Sequence, residues 1–229
     1  MKAKLVAVAI LVTFMLPAIC VAAPIRPGAY MSGFIGGTVP YDMTVTTDDF
    51  FLNKTFVDRV ELDPGINIGL TGGYDFGYLR LEGELSYKHG EIKEIIDQSD
   101  NFRFRNVDGD LAVVATLFNT FADLHNDSIV TPYFGGGFGF ATIYLSDTFG
   151  TDTRGGTVSR DQIYVDDSDT VFAYQAGGGV EITLNPAISL DLAYRYFGTT
   201  KARLDNSVDL STRLRYESHN ATIGFRVKF

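Results

Sequence analysis

Residues 66–88 read INIGLTGGYDFGYLRLEGELSYK and contain two alternating segments separated by a short turn. In the first segment, apolar or small residues occupy every second position from Ile66 to Tyr74. The second segment follows the turn at 76–77, keeps an apolar face and places charged or polar residues on the other face. Because successive side chains of a strand point to opposite faces, this period of two predicts a tight β-hairpin.

The same alternation recurs through the rest of the chain and predicts an all-β protein. Clear examples run from Phe172 to Ile182 and from Ile188 to Tyr196, and a further apolar column lies at 111–117. The predicted strands are eight in number, at 29–39, 65–75, 78–88, 107–120, 132–144, 171–184, 187–197 and 213–229.

The connections between these strands alternate between short and long. The short ones lie at 76–77, 121–131 and 185–186, and the long ones at 40–64, 89–106, 145–170 and 198–212. All the long connections of an up-and-down sheet then emerge from the same end, as in outer-membrane barrels with short periplasmic turns and long extracellular loops. We therefore predict an eight-stranded antiparallel up-and-down transmembrane β-barrel with four long extracellular loops.

The N-terminal residues have the three parts of a secretory signal peptide. Lys2 and Lys4 precede an apolar run at 5–16, and small residues including Ala22 follow it. The run is too short for a transmembrane helix, which needs roughly 20 apolar residues. The predicted organisation is a cleaved signal peptide at 1–22, with its boundary placed to within one residue, followed by a barrel domain at 23–229.

Cys20 is the only cysteine of the sequence and lies within the predicted signal. Ile19 precedes it, whereas a lipoprotein needs a small residue before its acylated cysteine, so the lipoprotein alternative is the weaker one. The predicted mature chain therefore has neither disulfides nor thiolate metal ligands in an oxidising compartment.

The chain is acidic, with 19 basic and 28 acidic residues and a formal net charge of −9. Removal of the predicted signal and its lysines makes the remainder more acidic still. Because nucleic-acid binding rests on neutralisation of phosphates by basic residues, we expect no nucleic-acid partner. No linker-like change of composition interrupts the chain, which indicates one domain.

Eight strands are compatible with a membrane barrel and with a soluble, lipocalin-like barrel that holds a ligand. In a membrane barrel, charged positions such as Glu82 and Glu84 line the lumen, and apolar columns such as Leu81 and Leu85 contact lipid. A soluble barrel reverses these faces. The choice between the two depends on where the aromatic residues lie.

The aromatic residues favour the membrane barrel because they concentrate toward both strand ends, like the girdles at the two membrane interfaces. Toward the loop ends lie Tyr87, Tyr144, Phe172, Tyr174, Tyr194 and Tyr196, and toward the turn ends lie Tyr74, Phe225 and Phe229. In the glycine-rich strand at 132–144, we expect the small residues to face inward and Phe134, Phe138 and Phe140 to face outward.

Four strand patterns carry a resemblance to a known family. They are TPYFGGGFG at 131–139, FAYQAGGGVE at 172–181, LDLAYRY at 190–196 and SHNATIGFRVKF at 218–229. With them, the mature chain resembles the opacity-protein and OmpA-like family of small outer-membrane β-barrel proteins, also described as porin-family proteins. The resemblance implies a location in the bacterial cell outer membrane, surrounded by outer-membrane lipid, and it identifies architecture rather than activity.

The last strand also resembles the C-terminal signature of outer-membrane proteins. It ends in an alternating apolar column formed by Ile223, Phe225, Val227 and Phe229. The resemblance implies that the barrel assembly machinery and periplasmic chaperones are partners during biogenesis.

Charged residues of both signs fall on the predicted inward faces. They are Arg80, Glu82, Glu84, Glu181, Asp191, Arg195 and Arg226. Opposite charges in a desolvated lumen should pair, which predicts a structural ion network. The alternative is a gate, in which exchange of partners opens a narrow aqueous path, although the interior of an eight-stranded barrel is roughly filled by side chains.

No catalytic residues are predicted. Some eight-stranded outer-membrane barrels modify lipid with a serine and a histidine that face the membrane. Here Ser218 and His219 are adjacent and must point to opposite faces of a strand, so they cannot form a nucleophile–base pair.

No cofactor or metal site is predicted either. The glycine runs at 135–137 and 177–179 lack the lysine of a P-loop and the spacing of a dinucleotide fingerprint, so crowding in the lumen explains them better. Acidic residues of the third long connection leave calcium binding as an alternative to ordinary solvated loop. They include Asp147, Asp152, Asp161, Asp166, Asp167 and Asp169, which lack the spacing of an EF-hand.

The sequence therefore predicts a non-enzymatic surface or structural protein whose long acidic loops mediate adhesion or recognition of an extracellular ligand or host surface. A rigid scaffold that presents loops is a common platform for recognition. A narrow solute or ion channel is the alternative, and a lipid-modifying enzyme is a weaker one.

Overall fold

A computed structural model describes residues 27–126, 128–154, 158–207 and 210–229, without the side chains of 205–207. The predicted signal peptide at 1–22 and Cys20 lie outside the described residues. Within the described residues, no helix is long and apolar enough to cross a membrane.

The regular structure consists of β-strands, numbered in chain order. They are β1 (Gly28–Pro40), β2 (Met43–Asp49), β3 (Lys54–Leu62), β4 (Gly65–Asp75), β5 (Leu79–Asp97), β6 (Phe102–Arg103), β7 (Arg105–Asp108), β8 (Asp110–Asp123), β9 (Val130–Leu145), β10 (Thr148–Asp152), β11 (Ser159–Tyr164), β12 (Asp167–Asn185), β13 (Ile188–Thr199), β14 (Ala202–Ser207), β15 (Leu210–Leu214) and β16 (Glu217–Lys228).

Eight of these strands form a closed ring in the order β1, β4, β5, β8, β9, β12, β13 and β16. The ring closes because β1 pairs antiparallel with β16, from Tyr30 opposite Lys228 to Pro40 opposite Ser218. All neighbours in the ring are antiparallel and successive, so the predicted up-and-down barrel is confirmed.

Several predicted strand ends were wrong. The strand predicted at 78–88 continues in β5 to Asp97, and the one predicted at 107–120 is β8, which ends at Asp123. The turn predicted at 121–131 is correspondingly shorter. The strand predicted at 213–229 begins later, because Arg213 belongs to β15. Alternation of polarity defines strand ends only loosely, because the hydrogen-bonded ladder continues beyond it in β5 and β8 and begins later than it in β16.

The long connections contain further strands rather than irregular loops. The hairpins β2–β3 and β14–β15 pair with each other and with the end of β5, so they extend the barrel wall. Strands β7, β10 and β11 form a separate three-stranded sheet. We call these seven loop strands, together with the short β6, the loop platform.

An apolar cluster fills the interior beneath the loop platform. This upper core consists of buried residues from the barrel strands and from the platform, namely Met43, Val45, Val60, Ile92, Ile95, Leu111, Val113, Ala115, Leu117, Ala141, Ile143, Leu145, Tyr164, Val171, Ala173, Phe197, Ala202, Leu204, Leu214 and Tyr216. The cluster closes the loop end of the barrel by burial of apolar surface, as in a soluble domain.

The apolar column at 111–117 faces the interior, whereas apolar columns of a membrane barrel were expected to contact lipid. Leu111, Val113, Ala115 and Leu117 are buried in the interior, while the alternate positions such as Thr116 face out. The polar–apolar rule fails there because the upper core, and not paired charge, fills that part of the lumen. The other predicted faces hold, including Phe134, Phe138 and Phe140 outward on β9.

Candidate functional site

The half of the interior nearest the short turns, which we call the lower barrel, is filled by paired charges. Glu84 is its centre: its Oε2 accepts hydrogen bonds from Arg195 Nη1 at 2.6 Å, Gln175 Nε2 at 2.8 Å and Asn119 Nδ2 at 2.9 Å. Arg195 also lies 4.0 Å from Glu82. A buried carboxylate with three donors is fully compensated for the loss of water.

A second group of ion pairs lies closer to the short turns. Arg80 Nε lies 2.8 Å from Asp123 Oδ2, and its Nη1 lies 3.8 Å from Glu181. Arg226 pairs with the same Glu181 and, through Nη2 at 3.4 Å, with Asp191. Glu181 therefore joins the two arginines into one network.

Two tyrosines connect this group to the wall. The Tyr30 hydroxyl donates to Glu82 Oε2 at 2.8 Å, and the Arg226 guanidinium lies 4.6 Å from the centre of the Tyr30 ring. The Tyr133 hydroxyl donates to Asp191 Oδ2 at 2.8 Å. Charge, hydrogen bonding and cation–π contact thus act on the same side chains.

All seven charged residues singled out from the sequence point into this network. Sequence reasoning missed some of their partners. Asn119 continues the series of the apolar column at 111–117, whose inward direction was not predicted, and Asp123 lies beyond the predicted end of the strand at 120. Tyr30 and Tyr133 lie in strands rich in glycine and aromatic residues, in which no inward tyrosine was predicted.

The glycine runs provide the space that the network occupies. A Cβ added at Gly177 would lie 2.2 Å from the Tyr194 carbonyl oxygen and 3.1 Å from Arg195 Cγ. A Cβ added at Gly137 would lie 2.0 Å from Asn119 Oδ1. Both glycines lie within strands and do not open a helix, so their geometry fits close approach of neighbouring groups rather than phosphate binding.

Above the network, the buried Lys88 marks the change from polar to apolar interior. Its Nζ donates to Ser86 Oγ at 3.1 Å and lies 4.2 Å from the centre of the Phe197 ring, which belongs to the upper core. Accessibility to water is 1% for Arg80, 4% for Glu84 and 0% for Phe197. Among the described residues, the network and the upper core therefore consist largely of side chains with little access to water.

The outer surface near the loop ends carries a hydrogen-bonded aromatic cluster. His219 faces outward, with its Nδ1 2.6 Å from the Tyr194 hydroxyl and its Nε2 bonded to the Tyr41 hydroxyl. Tyr196 donates to Glu217 at 2.7 Å. Ser218 is buried in the interior, so the structure separates it from His219 as the alternation predicts.

The acidic residues of the third long connection engage separate partners. Asp147 accepts from Gln162 Nε2 at 2.8 Å, and Asp169 accepts from the Arg203 backbone N–H at 2.8 Å. Across residues 27–229, apart from the few not described, no three His, Cys, Asp or Glu side chains lie together as metal ligands would.

A buried acidic pair lies in the loop platform. Asp58 on β3 and Asp97 on β5 are cross-strand partners, and Tyr164 donates to Asp58 Oδ2 at 2.8 Å. Burial raises the pKa of Asp58 above its ordinary value. Burial also opposes ionisation of Asp97, but hydrogen bonds from Ser99 and Arg154 outweigh it and lower the pKa of Asp97. The pKa values of the two neighbouring carboxylates are therefore shifted in opposite directions.

The chain is similar to known outer-membrane proteins over most of its length. A family model described as outer membrane protein beta-barrel domain matches residues 7–229. Outer membrane protein PagN of Salmonella typhimurium is 28% identical over 206 residues, which cover 81% of this chain and 80% of PagN. Opacity protein opA65 of Neisseria gonorrhoeae is 24% identical over 212 residues, which cover 80% of this chain and 84% of that protein.

The crystal structure of the outer membrane protein OprG from Pseudomonas aeruginosa has a similar fold. It superposes with a TM-score of 0.55 at 16% identity, covering 92% of this chain and 98% of OprG. At this level of identity the similarity concerns the fold alone.

Proposed function

Because the chain belongs to the outer membrane protein β-barrel domain family, and is thus a β-barrel of the bacterial outer membrane, we propose that it is a non-enzymatic surface protein whose loop platform mediates adhesion or recognition. The barrel is the rigid part, and the platform is the part that projects beyond the membrane at the end of the long connections. Recognition surfaces are commonly built on such loops over a rigid scaffold.

The observation that carries this proposal is the closed interior. A pore must be lined by groups that water reaches, whereas the charged groups of the lower barrel are buried and paired with one another. Since the upper core also fills the loop end, the interior supports a structural role, and the outer surface of the platform is left to carry function.

The proposed adhesion is tested by shortening the long connections one at a time. Bacteria that express each variant are measured for binding to cultured epithelial cells, with heat-modifiable gel mobility as the control for a folded barrel. We expect at least one shortened connection to abolish binding while the barrel remains folded. If all four variants bind like the intact protein, the platform is not the adhesive surface.

Conductance is the matched test of the closed interior. The purified protein in planar lipid bilayers should give no reproducible conductance steps, because buried ion pairs leave no aqueous path. Large, regular conductance steps would contradict a closed interior and would favour a narrow channel instead.

We also propose that the C-terminal column directs assembly. Ile223 and Phe225 are exposed on the outer face of the last strand, Phe229 is exposed directly after it, and the Phe229 backbone N–H donates to the Ala29 carbonyl at 2.9 Å. Phe229→Asp should lower the folded fraction in membrane fractions several-fold without reducing secretion. Thr222→Ala, on the inward face, is the matched control. Normal assembly of Phe229→Asp would contradict this proposal, and the column would then be only a part of the barrel wall.

A further inference from the structure

The connection between β2 and β3 ends in an exposed apolar tip. Phe50, Phe51 and Leu52 are 64%, 82% and 54% exposed. Connections between strands are usually polar, and contiguous exposed apolar residues mark an interaction site more often than chance. We call these three residues the apolar tip.

The hairpin holds the apolar tip in a defined position. Strands β2 and β3 pair continuously from Met43 opposite Val60 to Asp49 opposite Lys54, directly beneath the tip. Within the turn, the Leu52 backbone N–H donates to Asp49 Oδ1 at 2.8 Å. In this turn both phenyl rings are exposed to water and are not packed on the platform.

The tip stands away from the membrane that holds the barrel. Tyr41 belongs to the aromatic cluster near the loop ends of the barrel strands, and the seven residues of β2 separate it from the tip. At about 3.3 Å per residue, β2 places the tip roughly 20 Å along the strand from that cluster. The tip therefore lies on the extracellular side, away from the membrane that holds the barrel.

Among the described residues, the charged side chains directly beneath the tip balance one another and form a neutral collar, although the chain as a whole carries −9. Asp48 is paired with Arg213 at 2.5 Å, and Asp49 lies directly opposite Lys54. An apolar tip above a neutral collar complements a surface that is apolar inside and neutral at its boundary. A zwitterionic phospholipid bilayer has this profile.

The shape of the tip also favours a bilayer over a protein pocket. The tip is the end of a hairpin at which three consecutive apolar side chains are each more than half exposed, so it projects as a small apolar group. A bilayer can surround such a group without a complementary cavity, and aromatic and leucine side chains are favoured at the interface between headgroups and acyl chains.

We propose that the apolar tip formed by Phe50, Phe51 and Leu52 inserts into the interface of an apposed zwitterionic phospholipid bilayer. This deepens the proposed adhesion by assigning a lipid surface as one partner of the platform. Binding depends on buried apolar surface rather than charge, so it is insensitive to anionic lipid and to salt.

The test uses tryptophan as a reporter, because the sequence contains none. The full chain carrying Phe51→Trp is reconstituted in nanodiscs and mixed with phosphatidylcholine vesicles, with or without bromine on the acyl chains. Insertion should shift the emission to shorter wavelength and allow quenching by the brominated lipid. Val158→Trp, at a position 78% exposed in another connection, is the matched control and should show neither effect.

Co-sedimentation with phosphatidylcholine vesicles gives the second measurement. Replacing Phe50, Phe51 and Leu52 together by serine should weaken binding at least about tenfold, since burial of a single phenyl ring is worth about that factor. Val158→Ser should bind like the intact protein, and added phosphatidylserine should not strengthen binding.

Unchanged emission of Phe51→Trp, full binding of the triple-serine variant, or binding only to vesicles with anionic lipid would each overturn the proposal. Adhesion to cells can be scored separately. If adhesion requires the tip but phosphatidylcholine vesicles do not bind, the bilayer is rejected in favour of a protein partner and the adhesive function stands.

Discussion

The lower barrel and the upper core occupy the same barrel wall but have opposite polarity. Strand β5 passes through both: Arg80, Glu82 and Glu84 point into the ion network, and Ile92 and Ile95 point into the upper core. On its outer face the order is reversed, from apolar residues at 79–87 to charged ones at 91–93. Both faces therefore change character at the same level of the strand.

This reversal follows from what surrounds each part. Where the wall faces lipid, its outer side chains are apolar, and polar inward groups are stable only when they pair. Where the wall faces water, the protein can bury apolar side chains inside, as a soluble domain does. The change near Tyr87 and Lys88 thus marks the level at which the barrel leaves the membrane, and it agrees with the outward tyrosines nearby.

The largest effect is expected from breaking the lower barrel. Arg195→Met leaves Glu84 buried without its cation, and removal of one partner of a buried pair costs about 3–5 kcal/mol. We expect this loss in the free energy of unfolding, measured by urea titration of the protein in lipid vesicles. Arg160→Met removes an exposed ion pair with Asp108 and should cost less than about 1 kcal/mol.

The double variant sharpens this prediction. Glu84→Gln combined with Arg195→Met removes both charges, and a neutral amide is cheaper to bury than an unpaired carboxylate. The double variant should therefore be more stable than Arg195→Met alone. Equal stability of the two would show that charge pairing does not stabilise the lower barrel.

A smaller and more local effect is expected in the upper core. Ile95 is fully buried, and Ile95→Ala should cost roughly 2–4 kcal/mol through the cavity that it leaves. We expect faster proteolysis of the loop platform with unchanged heat-modifiable mobility of the barrel. If the barrel is destabilised to the same extent, the two regions unfold as one unit.

The smallest effect concerns the acidic pair of the platform and depends on pH. Because the pKa of Asp58 is raised, its protonated form stabilises the platform. This contribution to the free energy of unfolding is fully present below the ordinary pKa of 3.8 and is lost as pH rises through the raised pKa. Asp58→Asn should therefore stabilise the platform at pH 7, with the gain disappearing toward pH 4.

Asp97 should behave in the opposite way. Its lowered pKa contributes stability above the ordinary value of 3.8 that is lost as pH falls through the lowered pKa, so Asp97→Asn should destabilise the platform at pH 7. Amide hydrogen exchange of β3 and β5 at the two pH values measures both variants. Effects of the same sign at pH 7 would contradict the assignment.

Much of the barrel could be predicted from the sequence, because strands that span a membrane alternate between apolar outward and polar inward side chains. That alternation located all eight barrel strands and placed Glu84 and Arg195 on inward faces. It failed at 111–117, where the apolar side chains face the upper core. It also failed in the long connections. The strands there face water on one side and a small core on the other, so their polarity pattern is less regular than that of strands in a membrane.

The sequence by itself determined the number of barrel strands and most of the inward and outward faces of the membrane-spanning part. Only the tertiary structure decided which charges pair, because partners such as Glu84 and Arg195 are 111 positions apart and meet only when the barrel closes. It also decided that the long connections form a platform, since their ladders depend on strands from distant hairpins. Alternation is a local property of the chain, whereas pairing across a lumen depends on the closure of the whole ring.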